Sequence, residues 1–402
     1  MFDGMVGRLP IFTRSLDLFG YELRFCSGEV LRQGGVDDEG RWSETVRWAN
    51  EAVELRELVG DSRAMVRVPP GLLESCGEWA WPKSQLVLAL PGESLQDPAV
   101  GMAAERLARQ GYTIASQNPA HDLVELRRKA DYVTICSLDA DRLDDSNAGW
   151  LKRHDQRLHL LIREVETRDD YEHFSRLGFD YYEGRFFERP SRLKSCDIPA
   201  SRVALLELLA KLQNPNLAIS EAEALISRDM TLSFKLLRLL NSAFFGGTKP
   251  VESLRRAVLF FGLGRIRNWA SVILMNSVDY RPRELLSMAT VRARTCELLA
   301  QHLGRANVEH YYIAGLFSLL DAIMDIPREQ ILECLRLAQP INDALLHGRG
   351  PVGEVLRASL AFEQAEAAQL VCGDLKEGVP ASLYLEAIRW ASDLRLALGA
   401  LG

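Results

Sequence analysis

Glu164 and Glu166 stand at a polar turn directly after an apolar run, "LHLLIRE" from Leu158, with Arg163 beside them. Carboxylates at the end of a buried strand can hold a divalent cation or move a proton. Glu22, in "FGYELRF", is a third carboxylate in a strand-like stretch. Together they point to acidic-site chemistry. Two arginines, Arg67 in "MVRVP" and Arg163, fall near the same strand ends. Like unit charges about 4 Å apart repel by about 4 kcal/mol at an effective dielectric near 20. The pattern therefore reads as a working acidic site or as the shell of one. It also reads as ordinary ion pairing of Glu22, Glu164 and Glu166 with Arg67 or Arg163.

Other chemistry is thin. The seven histidines (His121, His154, His159, His173, His302, His310 and His347) show no HxxxH spacing, and the seven cysteines form no CxxC pair. A zinc site or a disulfide framework is therefore not expected. The Gly-x-Gly in "FFGLGRIRNW" lacks the rest of a nucleotide fingerprint, and no Gly-x-Ser-x-Gly elbow occurs.

The elements that would position these residues change character along the chain. Before about Pro190, "GRLPIFTR" and "FGYELRF" read as an opening hairpin. "MVRVP", "QLVLAL", "GYTIAS", "DYVTICSL" and "LHLLIRE" read as buried strands. "ETVRWANEAVELRELVG", "PAVGMAAERLARQG" and "DYEHFSRLGF" between them read as helices, the second stopped by Gly111. Strand–helix alternation implies a mainly parallel sheet, and a closed one keeps its site at the C-terminal strand ends. "ERPSRLKSCDIPASR", punctuated by Pro190 and Pro199, reads as a linker, which sets domains at 1–195 and 196–402. Beyond it the pattern is helical. A long helix is expected to begin at a Ser220/Glu223 capping box and to stop at Gly246 and Gly247.

Composition fits a two-domain globular chain: 402 residues, 47% hydrophobic and 26% charged, with a net charge of -7. That charge argues against general nucleic-acid binding, which needs cations to displace counterions. Between Arg228 and Arg267 eight Lys/Arg stand against two Asp/Glu, but they interleave with apolar residues as on a solvated helix face. The N-terminus lacks a basic start followed by an apolar stretch. No apolar run approaches the ~20 residues of a spanning helix. A cytoplasmic protein without membrane insertion is expected.

From about Leu9 to Pro190 the order and spacing of these stretches resemble the EAL family, barrel enzymes that hydrolyse the bacterial messenger cyclic di-GMP. "FGYELRF" stands at the family's Glu-Ala-Leu, and "IREVETRDDYEHFSRLGFDYYEGRFFERP" resembles its closing strand–helix–strand. The resemblance implies a two-cation site and lets its ligands be followed one by one. Glu22 is retained. Arg67 replaces an asparagine and Ala89 a glutamate. Gln117 and Asn118 replace an Asp-Asp pair. Thr134 and Cys136 stand at the ends of the family's Lys-Ile-Asp. Arg163 replaces a glutamate, Glu166 is retained, and Glu183 replaces the closing glutamine. No metal or other cofactor is expected at a site so altered. An eight-fold barrel usually takes about 250 residues, so one or two β/α units are expected to be missing or reduced.

Asp229, "KLLRLLNSAFFG" and "SLRRAVLFFGLGRIRNW" resemble the HDOD family, an HD-related output domain. Its parent enzymes bind metal through a His-Asp pair, which would fall on Ser318 and Leu319, and through an upstream histidine, which falls near Arg292. The whole order resembles the tandem EAL–HDOD, or YuxH-like, group. The implied fold is α/β plus all-α: an EAL-like (β/α) TIM-type barrel, then a helical HDOD bundle. The implied role is a non-catalytic signalling scaffold in cyclic di-GMP pathways that binds other signalling proteins. The alternative is a sensor that binds cyclic di-GMP or another nucleotide without cutting it, with Arg67 and Arg163 on its phosphates.

Overall fold

The structure, a computed structural model, describes residues 4–27, 39–118, 129, 133–142, 158–190, 199–242, 244, 251–278, 282–335, 337–365 and 382–399. Eight strands form a closed barrel in sequence order. They are β1 (Gly4–Thr13), β2 (Leu18–Ser27), β3 (Arg63–Arg67), β4 (Leu86–Pro91), β5 (Thr113–Gln117), β6 (Val133–Asp139), β7 (His159–Val165) and β8 (Tyr181–Gly184). β1 is antiparallel to both its neighbours, as the hairpin reading requires, and the strands from β2 to β8 run parallel.

The strand set is thus complete, and the economy lies in the crossovers. Between β3 and β4 the chain makes only two 3₁₀ turns, Pro70–Leu72 and Ser75–Glu78. Three prolines and two glycines in "VPPGLLESCGEWAWP" deny that stretch a full helix. Elsewhere α1 (Glu39–Ala52) and α2 (Leu55–Val59) lead into β3, α3 (Pro98–Arg109) links β4 to β5, and α4 (Arg168–Leu177) links β7 to β8. Asp97 caps α3 through the Ala99 N–H, and Gly111 turns out of it at φ +97°. Thr167 and Asp170 exchange hydrogen bonds at the start of α4.

Ile11, Met65, Val87, Ala89, Ala115, Ile135 and Leu161 fill the barrel lumen. Because side chains alternate along a strand, these residues fix which later ones face the mouth.

The chain divides into two compact units, 1–187 with 361–370 and 380–382, and 188–360 with 371–379 and 383–402. The first cut falls earlier than the expected 195/196 boundary. Phe186 and Phe187 pack edge-on against Phe12 of β1, with ring centroids 6.2 and 4.5 Å away, and so belong to the barrel core. Glu188 instead pairs within the second unit. Residues 191–198, in the linker stretch, lie outside the described residues.

The helices after the barrel are α5 (Ala200–Leu212), α6 (Ile219–Arg228), α7 (Met230–Leu240), α8 (Leu254–Phe261), α9 (Leu263–Met275), α10 (Arg283–His302), α11 (Val308–Phe317) and α12 (Leu320–Met324). Arg328–Leu335, Gln339–His347, Gly350–Gln364 and Ser382–Gly399 follow as α13 to α16. The single long helix expected from Ser220 is two, because Asp229 leaves helical geometry (φ -97°, ψ 100°) and caps α7 through the Leu232 N–H. The first of them starts earlier than expected: Glu221, not Glu223, accepts the Ala218 N–H at 3.0 Å. Gly246 and Gly247 lie outside the described residues. α10 and α11 cross with no room between their backbones; a Cβ on Gly315 would stand 2.6 Å from Ala293 Cα. Among the described residues no single helix is long and apolar enough to cross a membrane; α8 and α9 pass that test only as a pair, bent by 120°.

Candidate functional site

At the C-terminal end of the barrel the Arg163 guanidinium sits among three carboxylates from three other strands. Its Nη2 donates to Glu22 Oε1 at 3.2 Å, its Nη1 is 3.4 Å from Asp139 Oδ1, and its Nε is 3.6 Å from Glu183 Oε2. Arg24, two residues beyond Glu22, reaches Glu22 at 3.5 Å and Glu183 at 3.9 Å. The cluster is buried: the Arg163 side chain is 14% exposed and those of Glu22 and Glu183 6% and 3%.

Alternation explains the convergence. Arg163 follows the lumen residue Leu161 by two positions, and Asp139 follows Ile135 by four. Burial works against the Arg163 charge, but Glu22, Glu183, Asp139 and Glu164 outweigh it and hold its pKa above the ordinary arginine value. Burial, then the negative charge of Glu22, pushes the Glu183 carboxyl up to about 7. Arg24, Arg163 and the Glu164 backbone N–H pull the other way.

A bulge sets the height of this layer. Register slips between Ile162 and Val165, and Glu164 takes φ +59°. Opposite it Gly184 stands at φ +145°, where a Cβ would lie 2.2 Å from the Val165 carbonyl oxygen. Bulges of this kind re-aim neighbouring side chains.

The other expected positions scatter. Ala89 is buried in the lumen and offers no ligand atom. Gln117 follows Ala115 by two, is 8% exposed, and its Nε2 has no hydrogen-bond partner among the described residues. Asn118, at φ +42°, donates its amide to Asp139 and accepts the Asp139 N–H at 2.9 Å. Arg67 is exposed at the end of β3 and has no ion pair among the described residues. Glu166 is exposed, outside the cluster.

Thr134 and Cys136 lie on the face of β6 opposite Ile135 and so point away from the lumen. Burial raises the Cys136 thiol to about 12, as expected of an inert core thiol. Beyond Ile135, the residues β6 turns inward are Ser137 and Asp139. Asp139, like Arg24, was not anticipated from the sequence; counting by two from Ile135, or from Glu22, would have found each.

The cation pair that the EAL resemblance implies does not fit these residues. The carboxylates converge on a guanidinium and not on open space. Among the described residues no group of three or more His, Cys, Asp or Glu could hold a metal ion.

In the helical unit, Arg292 and Ser318 come together, with Arg292 Nη1 3.4 Å from Ser318 Oγ. Arg292 Nη2 is 2.8 Å from Glu188 Oε2, and the side chains are 3% and 9% exposed. Leu319 is core, 1% exposed. Asp321 pairs with Arg328 at 2.8 Å; burial raises its pKa, and Arg328 opposes the shift. Here too an arginine stands near the place where the parent enzymes of the HDOD resemblance would carry a metal-binding histidine.

Residues 198–373 match the family model for the HDOD domain. Over its length the chain is similar to the cyclic di-GMP phosphodiesterase CdgJ of Vibrio cholerae, at 27% identity over 98% of this chain and 94% of that protein. It is also similar to the uncharacterised protein YuxH of Bacillus subtilis, at 26% identity over 97% and 98%. Among solved structures it resembles the FimX EAL domain of Pseudomonas aeruginosa bound to c-di-GMP, with a TM-score of 0.36 and 16% identity over 48% of this chain and 93% of that one.

Proposed function

We propose that this chain, an EAL-like barrel followed by an HDOD domain and homologous to CdgJ and YuxH, is a non-hydrolysing regulator whose barrel mouth binds cyclic di-GMP or a related dinucleotide. The observation that carries the reading is the Arg163 guanidinium held by Glu22, Asp139 and Glu183. Two-metal hydrolysis of a phosphodiester needs carboxylates that share open space with both cations. In this mouth a fixed positive charge takes that space, and the carboxylates are spent on it.

The ligand class is supported by whole-length similarity to a protein named as a cyclic di-GMP phosphodiesterase. Donors remain for such a ligand. Arg67 is exposed at a strand end, and guanidinium suits phosphate. Gln117 Nε2 and Ser137 Oγ, both buried, have no hydrogen-bond partner among the described residues. The helical half carries the response to protein partners in the signalling pathway.

The test is to incubate the full chain with cyclic di-GMP and Mn²⁺ and to follow both binding and recovery of the nucleotide. The expected outcome is intact nucleotide, with binding weakened about tenfold or more by Arg67→Ala, the loss of one charge-assisted contact. Linear product that disappears in Glu22→Ala contradicts the proposal. A second reading, a scaffold that binds only proteins, is favoured by the exposed apolar side chains of α7 and α8. It predicts no nucleotide binding at all.

A further inference from the structure

α7 and α8 carry side chains that their own packing leaves unused. On α7, Met230 and Phe234 stand one turn apart and are 84% and 58% exposed. Arg238, one turn further, lies over the Phe234 ring, 6.0 Å from its centroid. On α8, Leu259 and Phe260 are 74% and 79% exposed, with Arg255 and Arg256 exposed one turn before them. Asn241 donates to the Val251 carbonyl and accepts its N–H, which fastens the end of α7 beside the residues that lead into α8. α7 also packs against α8. Phe260 is held by an aromatic ladder, edge-on to Phe261 at 4.8 Å, which is edge-on to buried Trp269 at 5.2 Å.

Four large apolar side chains exposed on two helices that pack against each other differ from the scattered ones that any surface carries. Phe, Met and Arg are also enriched in interface centres. The stretch that carries them is net basic: eight Lys/Arg against two Asp/Glu between Arg228 and Arg267, an excess of six in a chain whose net charge is -7. Arg238 and Arg255 have no ion pair among the described residues, whereas Arg256 is taken by Glu252.

A symmetric contact with a second copy would set this basic face against itself. Nucleic acid would bury four apolar side chains against phosphates, with nothing for them to gain. A helix that lies on a bilayer presents one continuous apolar face, whereas α8 is eight residues long and basic in its first turn. An amphipathic helix inserts a few anchors at i, i+3 or i+4, and i+7, which matches a short apolar strip with charge at one end. We infer that the face formed by α7 and α8 docks an amphipathic helix of a partner protein, one whose apolar stripe is bordered by Asp and Glu. This stands independently of what the barrel binds.

The probe is a fluorescein-labelled synthetic helix of about 18 residues, long enough to be partly helical alone, with Leu and Met on one face and Glu elsewhere. Its anisotropy is followed as the full chain is added, beside a peptide with Lys in place of every Glu. The Glu peptide is expected to bind, more weakly at high salt, and the Lys peptide not to bind. Phe234→Ala with Phe260→Ala, and separately Arg238→Glu with Arg255→Glu, are each expected to weaken binding about tenfold or more. All four positions are exposed, and circular dichroism confirms that the variants fold. Failure of the Glu peptide to bind, equal binding of both peptides, or unchanged binding by the variants overturns the inference. So does sedimentation of the chain with phosphatidylcholine–phosphatidylglycerol vesicles that the same variants abolish, which would assign the face to lipid.

Discussion

A guanidinium among three carboxylates neutralises charge that a bound cation would otherwise have to neutralise, and it does so permanently. Truncating Arg163 leaves Glu22, Asp139 and Glu183 facing one another in a buried mouth. Removing one partner of a buried pair typically costs about 3–5 kcal/mol, so Arg163→Ala is expected to lower the urea midpoint by a corresponding amount. The vacated carboxylates are then expected to accept a divalent cation, so Mn²⁺ should raise the melting temperature of the variant and leave the wild type unchanged. Equal Mn²⁺ effects on both proteins would show that Arg163 does not occupy the cation's place. Glu183 gives a second handle. Its pKa lies at about 7 in the folded chain, because burial and then Glu22 disfavour its charge, against an ordinary 4.5. The folded state therefore holds this proton more tightly than the unfolded state does. The resulting stabilisation is complete below pH 4.5 and is lost as pH rises through about 7. Glu183→Gln cannot ionise, so its stability is expected to fall less than that of the wild type between about pH 5 and pH 8. Parallel curves from urea melts would refute the assignment.

The β7–β8 seam places these groups, and Gly184 is the residue that lets it close. A methyl there meets the Val165 backbone while φ stays at +145°. Gly184→Ala is expected to cost about 3 kcal/mol or more through strain and overlap together, read as a drop in the urea midpoint; an unchanged midpoint would mean that the bulge is not closely packed. Most elements were legible, because apolar runs bounded by Gly, Pro and polar turns mark strands whatever their neighbours. The hairpin of β1 and β2, the strands from β3 to β7 and the body of α4 all fall in stretches that the sequence marks. Which face of a strand points inward was harder to read. In "VTICSLD" both faces carry apolar residues, so nothing local separates the Ile135–Ser137–Asp139 face from the one carrying Cys136. Asp229 was hidden in the same way: within an amphipathic run it reads as one more polar-face residue, and only its backbone geometry makes it a helix break.

At the scale of the whole chain, two units of different architecture share one feature, an arginine held by buried carboxylate where the family resemblances place metal ligands. Arg67, Arg163 and Arg292 could be located from the sequence, because each lies inside a strand or helix stretch that the sequence marks. Their partners could not. Glu22 and Asp139 are 117 residues apart in sequence by their numbers, and only barrel closure brings both to Arg163. Net charge could not separate the readings either, since a chain at -7 still concentrates basic residues around α7 and α8. What separates them is whether the mouth recognises an anionic nucleotide with no metal present. The most direct measurement is calorimetric titration of the full chain with cyclic di-GMP in a chelating buffer. The account predicts saturable heat at micromolar protein, unchanged when Mn²⁺ replaces the chelator. Heat that appears only with Mn²⁺, accompanied by cleavage of the nucleotide, would contradict it.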